Sequence, residues 1–323
     1  MTNQCAGRQK PDSIALMFPG QGSQFLGMAS DLMAAKSKAR DIVERAEECL
    51  GYSLSKIMAG EPPGDLDRTR YTQPAIFVHS VALYEELLCK CPVAPVAAAG
   101  HSLGEYSALY AAGVFDFETA LRLVQVRAKG MEEAQPASTC GMAALVGITR
   151  ERALELVEMH RKNDVLEVAN FNAPDQIVIS GHKTAVDRAV EAAGKEKRVK
   201  TVILNVSSAF HTSLMEPALE TLGQTLMDIT VGRPNYPVVA NLDAQFYPSE
   251  VTEVRSRLIE QVVRPVLWDD CVKTMVKTGA RTFIEIGPGK VLSGLLRRID
   301  RQAAAINISD LKSLRSAEDA LAA

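Results

Sequence analysis

Ala99-Gly100-His101-Ser102-Leu103-Gly104-Glu105 places one serine between two glycines, with a small apolar run (Pro95 to Ala99) before it and a helix-forming run (Tyr106 to Ala112) behind it. A Gly-x-Ser-x-Gly pattern at a strand-to-helix turn is the pattern of a nucleophile elbow. The glycines let neighbouring backbone pass close by, so the serine hydroxyl stands exposed above the sheet. The helix that starts there points free N–H groups at whatever oxyanion forms. The stretch therefore predicts acyl chemistry through a seryl ester on an α/β fold.

Working outward, 323 residues suffice for one large core with a smaller domain attached. A net charge of −3 and 47% hydrophobic residues describe an ordinary globular protein, with no basic excess that would point to nucleic acid. No apolar run reaches the roughly 18 residues that span a membrane. The start, Met1 to Lys10, is polar and lacks a signal-peptide core. Six cysteines (5, 49, 89, 91, 140 and 271) read as reduced thiols, so a cytoplasmic location is expected. Cys89-Lys90-Cys91 has no second pair at zinc spacing, and no metal site is expected.

Ile14 to Phe18 reads as a first strand, stopped by Pro19-Gly20-Gln21-Gly22. Helical patterns follow at 30–50 and 74–90, then the elbow strand and its helix, which ends at Gly113. Asp116 is placed to cap a helix running to about residue 134, before Pro136. Between 140 and 206 the pattern changes to strand 141–148, helix 149–162, strands 165–170 and 176–181, helix 183–195 and strand 199–206. That β-α-β-β-α-β order is the ferredoxin-like unit. Alternating helices and short strands resume afterwards, with strands at 237–241 and 282–286, helices at 250–263 and 268–278, and a last helix to about 299. Such alternation predicts a mainly parallel sheet covered on both faces. The expected organisation is a discontinuous α/β core, 12–136 and 207–310, interrupted by a small subdomain at 137–206.

A serine hydroxyl needs a base within hydrogen-bond reach. Of the five histidines, His79 falls in an amphipathic helix, His160 at a helix end and His182 in a turn of the small subdomain. His101 adjoins Ser102, but neighbours at an elbow point apart, so it reads as a brace. His211 follows a strand and precedes a helix start in Ser208-Ala209-Phe210-His211-Thr212-Ser213. A helix N-terminus disfavours the imidazolium, which keeps a base available near neutral pH. His211 is either that base or a satisfied loop histidine.

On a wheel of about 100° per residue, Arg127 lies within about 60° of Ala120, Leu123, Val124, Gly130, Met131 and Ala134. It thus points with the buried stripe, while Glu118, Arg122, Lys129 and Glu132 lie opposite. A buried guanidinium is costly unless paired. Its partner is either a structural carboxylate or the carboxylate of a ligand, which Arg binds bidentately. The Pro19–Gly22 turn lacks Gly-Lys-[Ser/Thr], which excludes a nucleoside-triphosphate loop. It can donate a second backbone N–H to an oxyanion hole or serve as a plain tight turn.

Together these segments closely resemble the malonyl-CoA:acyl carrier protein transacylase family, related to the acyltransferase domains of polyketide synthases. The motifs are Phe18-Pro-Gly-Gln-Gly-Ser-Gln24, Gly100-His-Ser-Leu-Gly-Glu105, Gln125-Val-Arg127, Asn170-Phe-Asn-Ala-Pro-Asp-Gln176, Ser208-Ala-Phe-His211, Gln261-Val-Val-Arg-Pro265 and Glu285-Ile-Gly-Pro-Gly289. They cover roughly residues 14 to 300 in the family's order. The resemblance implies a hydrolase-like α/β core with a ferredoxin-like insertion. It implies Ser102 as nucleophile, His211 as general base and acid, and Gln261 orienting that histidine through its main-chain carbonyl. It also implies an oxyanion hole from the amides of Gln21 and Leu103, and Arg127 on the malonyl carboxylate. Asn170 and Gln176 would line the cleft, and Phe210 would exclude a methyl branch.

The reaction implied is malonyl transfer from malonyl-CoA to the phosphopantetheine thiol of acyl carrier protein for fatty-acid synthesis, with no bound cofactor. The resemblance further suggests a monomer. Docking of the acidic carrier is expected at Lys195, Lys197, Arg198 and Lys200, or at Arg297, Arg298 and Arg301. The alternatives are an acyltransferase serving a polyketide pathway, a serine thioesterase or hydrolase, and a non-catalytic carrier-binding module.

Overall fold

The computed structural model describes residues 13–206 and 208–322. The polar start and Cys5 lie outside the described residues. Five parallel strands, β1 (Ile14–Phe18), β2 (Ala97–Gly100), β7 (Val238–Val239), β8 (Thr282–Ile286) and β9 (Ala304–Ile308), form one sheet in the order β7-β2-β1-β8-β9. The second sheet is antiparallel, built from β3 (Cys140–Val146), β4 (Leu166–Ala173), β5 (Gln176–His182) and β6 (Lys200–Ile203) in the order β4-β5-β3-β6. The fold is therefore α/β, a parallel sheet with a small antiparallel one beside it.

Side-chain alternation explains the layering of the parallel sheet. Leu16, Phe18, Ala98, Val238, Ile284 and Ile286 pack into one apolar cluster, while Ala15, Met17, Ala97, Ala99, Val239 and Phe283 pack into another on the opposite face. Both faces are covered by helices, the requirement for a parallel sheet. Strand order reverses across β1, because the chain steps outward to β2 and β7 and then returns to β8 on the other side. Ligands of open α/β sheets bind in the crevice above the carboxyl ends at such a reversal. The turns after β1, β2 and β8 all open there.

The small sheet has one face under its own helices, Arg150–Arg161 and Lys183–Ala193, with Ala143, Leu145, Ile177 and Ile179 in that core. Met142, Ala144 and Val178 on its other face join the large core. Its β4 edge is stitched to the parallel domain: Phe171 N–H donates to Val266 O and Val266 N–H to Ala169 O, each at 2.9 Å. Arg298 grips Asp175 at 2.7 Å, and Arg150 pairs with Asp270. Strand β6 forms the opposite, exposed edge.

Several elements differ from the expectation. The helical run at 30–50 is two helices, Ser30–Ala34 and Lys38–Leu50, because Ala35 and Ser37 adopt extended backbone. The second long helix begins at Thr69, ahead of Pro74, so the proline lies inside it. Residues after His211 form a 3-10 turn, Ser213–Ala218, before the helix Leu219–Met227. Strand β9 and the helix Leu311–Ala322 escaped the reading, since β9 is a half-exposed edge strand without strong alternation.

Candidate active site

Gly100 ends β2, and the chain turns at once into the helix Gly104–Ala111. Ser102 sits at the corner with φ 51°, a left-handed conformation that is strained for a serine. The flanking glycines are steric necessities. A Cβ on Gly100 would lie 1.8 Å from the Gly104 carbonyl, and one on Gly104 would lie 2.1 Å from Phe18 O.

What holds the strained corner is Asn241, at the carboxyl end of the neighbouring β7. Its Oδ1 accepts from Ser102 N–H at 2.7 Å, and its Nδ2 donates to Gly100 O at 2.8 Å. Sequence reasoning missed this residue. The available signal was a polar side chain closing the apolar run 237–241 beside the elbow strand.

Ser102 Oγ lies 2.7 Å from His211 Nε2. His211 Nδ1 lies 2.9 Å from the main-chain oxygen of Gln261, which can only accept. The proton therefore belongs on Nδ1, leaving Nε2 free to accept from the serine. Burial, and after it the charge of Arg127, hold the imidazole down to about 3, so it is neutral across the ordinary pH range. His211 itself has φ 60°, a second strained residue at the site.

Arg127, on the helix Phe117–Glu133, is 1% exposed. Asp116 caps that helix, its side chain accepting from Thr119 N–H. Among the described residues no carboxylate lies within ion-pair distance of Arg127. Its Nη1 donates to Gln73 Oε1 at 2.8 Å, and its Nη2 donates to Gln261 Oε1 at 2.8 Å and to Ser102 Oγ at 3.0 Å. The structural-carboxylate reading of Arg127 is thus set aside: a buried cation is aimed at the serine by neutral amides.

A cleft of about 290 Å³ opens over Ser102 between the two sheets. Gln21, Leu103, Asn170, Gln176 and Phe210 all line it. Among the described residues the N–H groups of Gln21 and Leu103 have no backbone acceptor, and both residues line the cleft. Arg127 Nη2 donates to Ser102 Oγ and Gln261 Nε2 to Ser102 O, and neither residue lines the cleft. Gln73, which also lines the cleft, is a further residue the sequence did not reveal.

The remaining histidines have other partners. His101 Nε2 meets Asn172 Oδ1 at 2.8 Å and packs on Trp268, bracing the elbow against the small sheet. His79 is buried with Nε2 on Met28 O, and burial holds it down to about 4. His182 contacts Asp164, and the carbonyl of His160 accepts from Arg188. Among the described residues no cluster of three or more His, Cys, Asp or Glu is arranged to hold a metal. No described helix is long and apolar enough to cross a membrane.

Known proteins are similar to this chain over most of its length. The family model described as "Acyl transferase domain" matches residues 16–316. The malonyl CoA-acyl carrier protein transacylase of Haemophilus influenzae is 39% identical over 309 residues, covering 95% of this chain and 99% of the relative. The structure of the corresponding transacylase from Coxiella burnetii superposes with a TM-score of 0.92 at 36% identity, covering 96% of this chain and 98% of that one. A malonyl-transacylase solved in complex with its type II PKS acyl-carrier protein gives 0.91 at 39% identity, covering 95% and 99%. The chain therefore belongs to the acyl transferase domain family.

Proposed function

We propose that the protein moves a malonyl group from malonyl-CoA to the phosphopantetheine thiol of acyl carrier protein, supplying extender units for fatty-acid synthesis. The observation that carries this reading is Arg127, a buried guanidinium without a carboxylate partner, 3.0 Å from the Oγ of a serine that is itself 2.7 Å from a neutral histidine. Such a cation favours an acyl group that brings its own carboxylate. The likeness to a transacylase solved with its carrier supports the acceptor.

The steps follow from the geometry. His211 Nε2 takes the Ser102 proton as Oγ attacks the thioester carbonyl. The oxyanion is held by the amides of Gln21 and Leu103, each worth on the order of a hundredfold in rate. The C–S bond breaks, and CoA leaves as a thiol with the proton from His211. The carrier thiol then gives its proton to His211, attacks the malonyl ester, and Ser102 regains a proton as it leaves. Gln261 keeps the histidine oriented throughout. No bound cofactor or metal enters these steps. Phe210, on the cleft wall, crowds a branched α-carbon and favours malonyl over methylmalonyl.

The elbow after β2 supports a hydrolase-like description of the core, residues 12–136 and 207–310, with 137–206 as an inserted ferredoxin-like subdomain. Carrier docking is assigned to Lys195, Lys197, Arg198 and Lys200 or to Arg297, Arg298 and Arg301, all of them exposed, with Lys195 paired to Glu191 and Arg298 to Asp175. A monomer in the cytoplasm fits this role. Mixing the protein with malonyl-CoA and no thiol acceptor tests the reading. A stable 1:1 malonyl adduct on Ser102 by intact mass supports transfer, and continuous CoA release would make the protein a hydrolase.

A further inference from the structure

Beneath the elbow lies a carboxylate that the reaction above does not use. Glu105, 1% exposed, sits in the first turn of the elbow helix. Every neighbour of its oxygens is a donor: Tyr247 O–H and Asn241 N–H meet Oε1, and Gln261 Nε2 meets Oε2 at 2.6 Å. Among the described residues it has no cationic partner within ion-pair distance. A buried acceptor with three donors and no adjacent cation calls for a purpose beyond capping a helix.

The purpose is visible in Gln261. Its Nε2 donates to Glu105 and, at 2.8 Å, to Ser102 O, while its Oε1 accepts from Arg127 Nη2 at 2.8 Å. An amide has two faces of similar shape and opposite polarity. Turned over, Gln261 would set its NH2 against the guanidinium NH2 and its oxygen against a carboxylate oxygen, losing all three bonds. An acceptor-only group at 105 permits one orientation.

We propose that Glu105 is the positioning residue of the acyl-carboxylate clamp: it fixes the amide of Gln261, so that Gln261 turns its oxygen to Arg127 and holds the guanidinium at Ser102. This rests on the malonyl reading of the site. Burial pushes Glu105 up to about 7, and in its ionised form it faces Arg127 across a single amide, offsetting the buried cation while leaving it open to a carboxylate substrate. A direct ion pair would occupy the guanidinium. Glutamine at 105 cannot replace the carboxylate, because whichever way its amide turns, its own NH2 meets at least one of the existing N–H donors.

The test compares Ser102 acylation from malonyl-CoA and acetyl-CoA in wild type and Glu105→Gln, reading kcat and KM for each donor. The account expects the malonyl-to-acetyl ratio of kcat/KM to fall at least tenfold, chiefly through a higher KM for malonyl-CoA. A loss of packing alone would slow both donors by the same factor, and a ratio within twofold of wild type overturns the proposal. Should Glu105→Gln not fold, Gln261→Met keeps the main-chain carbonyl and removes the amide. The same tenfold fall supports the relay and an unchanged ratio refutes it. If wild type itself takes no malonyl group, the functional reading fails instead, which the parallel wild-type measurement separates.

Discussion

Two parallel strands of this protein run through glycine-bearing turns into helices, and the chain treats the two helix starts in opposite ways. After β8, Glu285 folds its carboxylate back over the start of the helix Val291–Ile299, accepting from Leu292 N–H, Ser293 N–H and Ser293 O–H at 2.6–2.9 Å. After β2, no side chain covers the N–H of Leu103, and the strained Ser102 stands above it. The first turn is closed by the protein's own anion. The second is left open, as the proposed oxyanion hole requires. A helix N-terminus favours negative charge in both cases; what distinguishes structure from chemistry is whether the chain supplies that charge itself.

Removing the reactive group at the open turn gives the largest expected effect. Ser102→Ala should eliminate the malonyl adduct, with a fall in transfer of roughly a millionfold, while carrier binding persists in a pull-down or calorimetric titration. Gly104→Ala comes next. The added methyl would meet the backbone of β1, and displacing the elbow by about 1 Å costs roughly a hundredfold, measured as the rate of Ser102 acylation.

Acidification separates the site from a loosely packed one. His211 and His79 are held near 3 and 4 by burial, against about 6.5 in the unfolded chain. Between those values the unfolded state binds more protons, so stability rises with pH there and is lost as pH falls from about 6.5. Comparing urea unfolding of wild type and His79→Gln at pH 7.5 and 5 isolates one of these contributions, about 2 kcal/mol, from the opposite contribution of Glu105, which burial raises to about 7. Per folded molecule, acetyl acylation should show no titration of His211 near 6.5, whereas malonyl acylation should fall as Glu105, which burial raises to about 7, takes up a proton.

The smallest effect belongs to the closed turn. Glu285→Ala should lower unfolding free energy by about 1–3 kcal/mol, through the unsatisfied N–H groups it leaves. The stoichiometry of Ser102 acylation should stay the same. A loss of acylation without a loss of stability would mean that the two turns are less distinct than their hydrogen bonding indicates.

What could be read from the sequence alone follows from range. The elbow is local, since Gly-x-Ser-x-Gly between an apolar run and a helix needs no partner to be recognised. The inward aim of Arg127 is a matter of helical period, and the cap at Asp116 acts over three residues. The order of the small antiparallel sheet emerged from the alternation of patterns. Asn241, Gln73 and the role of Glu105 were not legible, because each depends on residues that only folding brings together: Asn241 is 139 positions from Ser102, and Gln261 is 156 from Glu105. Glu105 stood in a recognised motif, yet nothing around it in sequence shows three donors. Strand β9 was hidden for another reason, since a half-exposed edge strand carries little apolar alternation.

Arg127→Ala tests the central claim most directly. Acylation of Ser102 from malonyl-CoA and from acetyl-CoA would be timed by quenched-flow mass spectrometry for the variant and wild type. The account predicts a loss of roughly a hundredfold for malonyl, the cost of a charged bidentate partner, with acetyl transfer held or raised. An equal fall for both donors would contradict it, and would leave Arg127 as a structural prop rather than the group that chooses the acid.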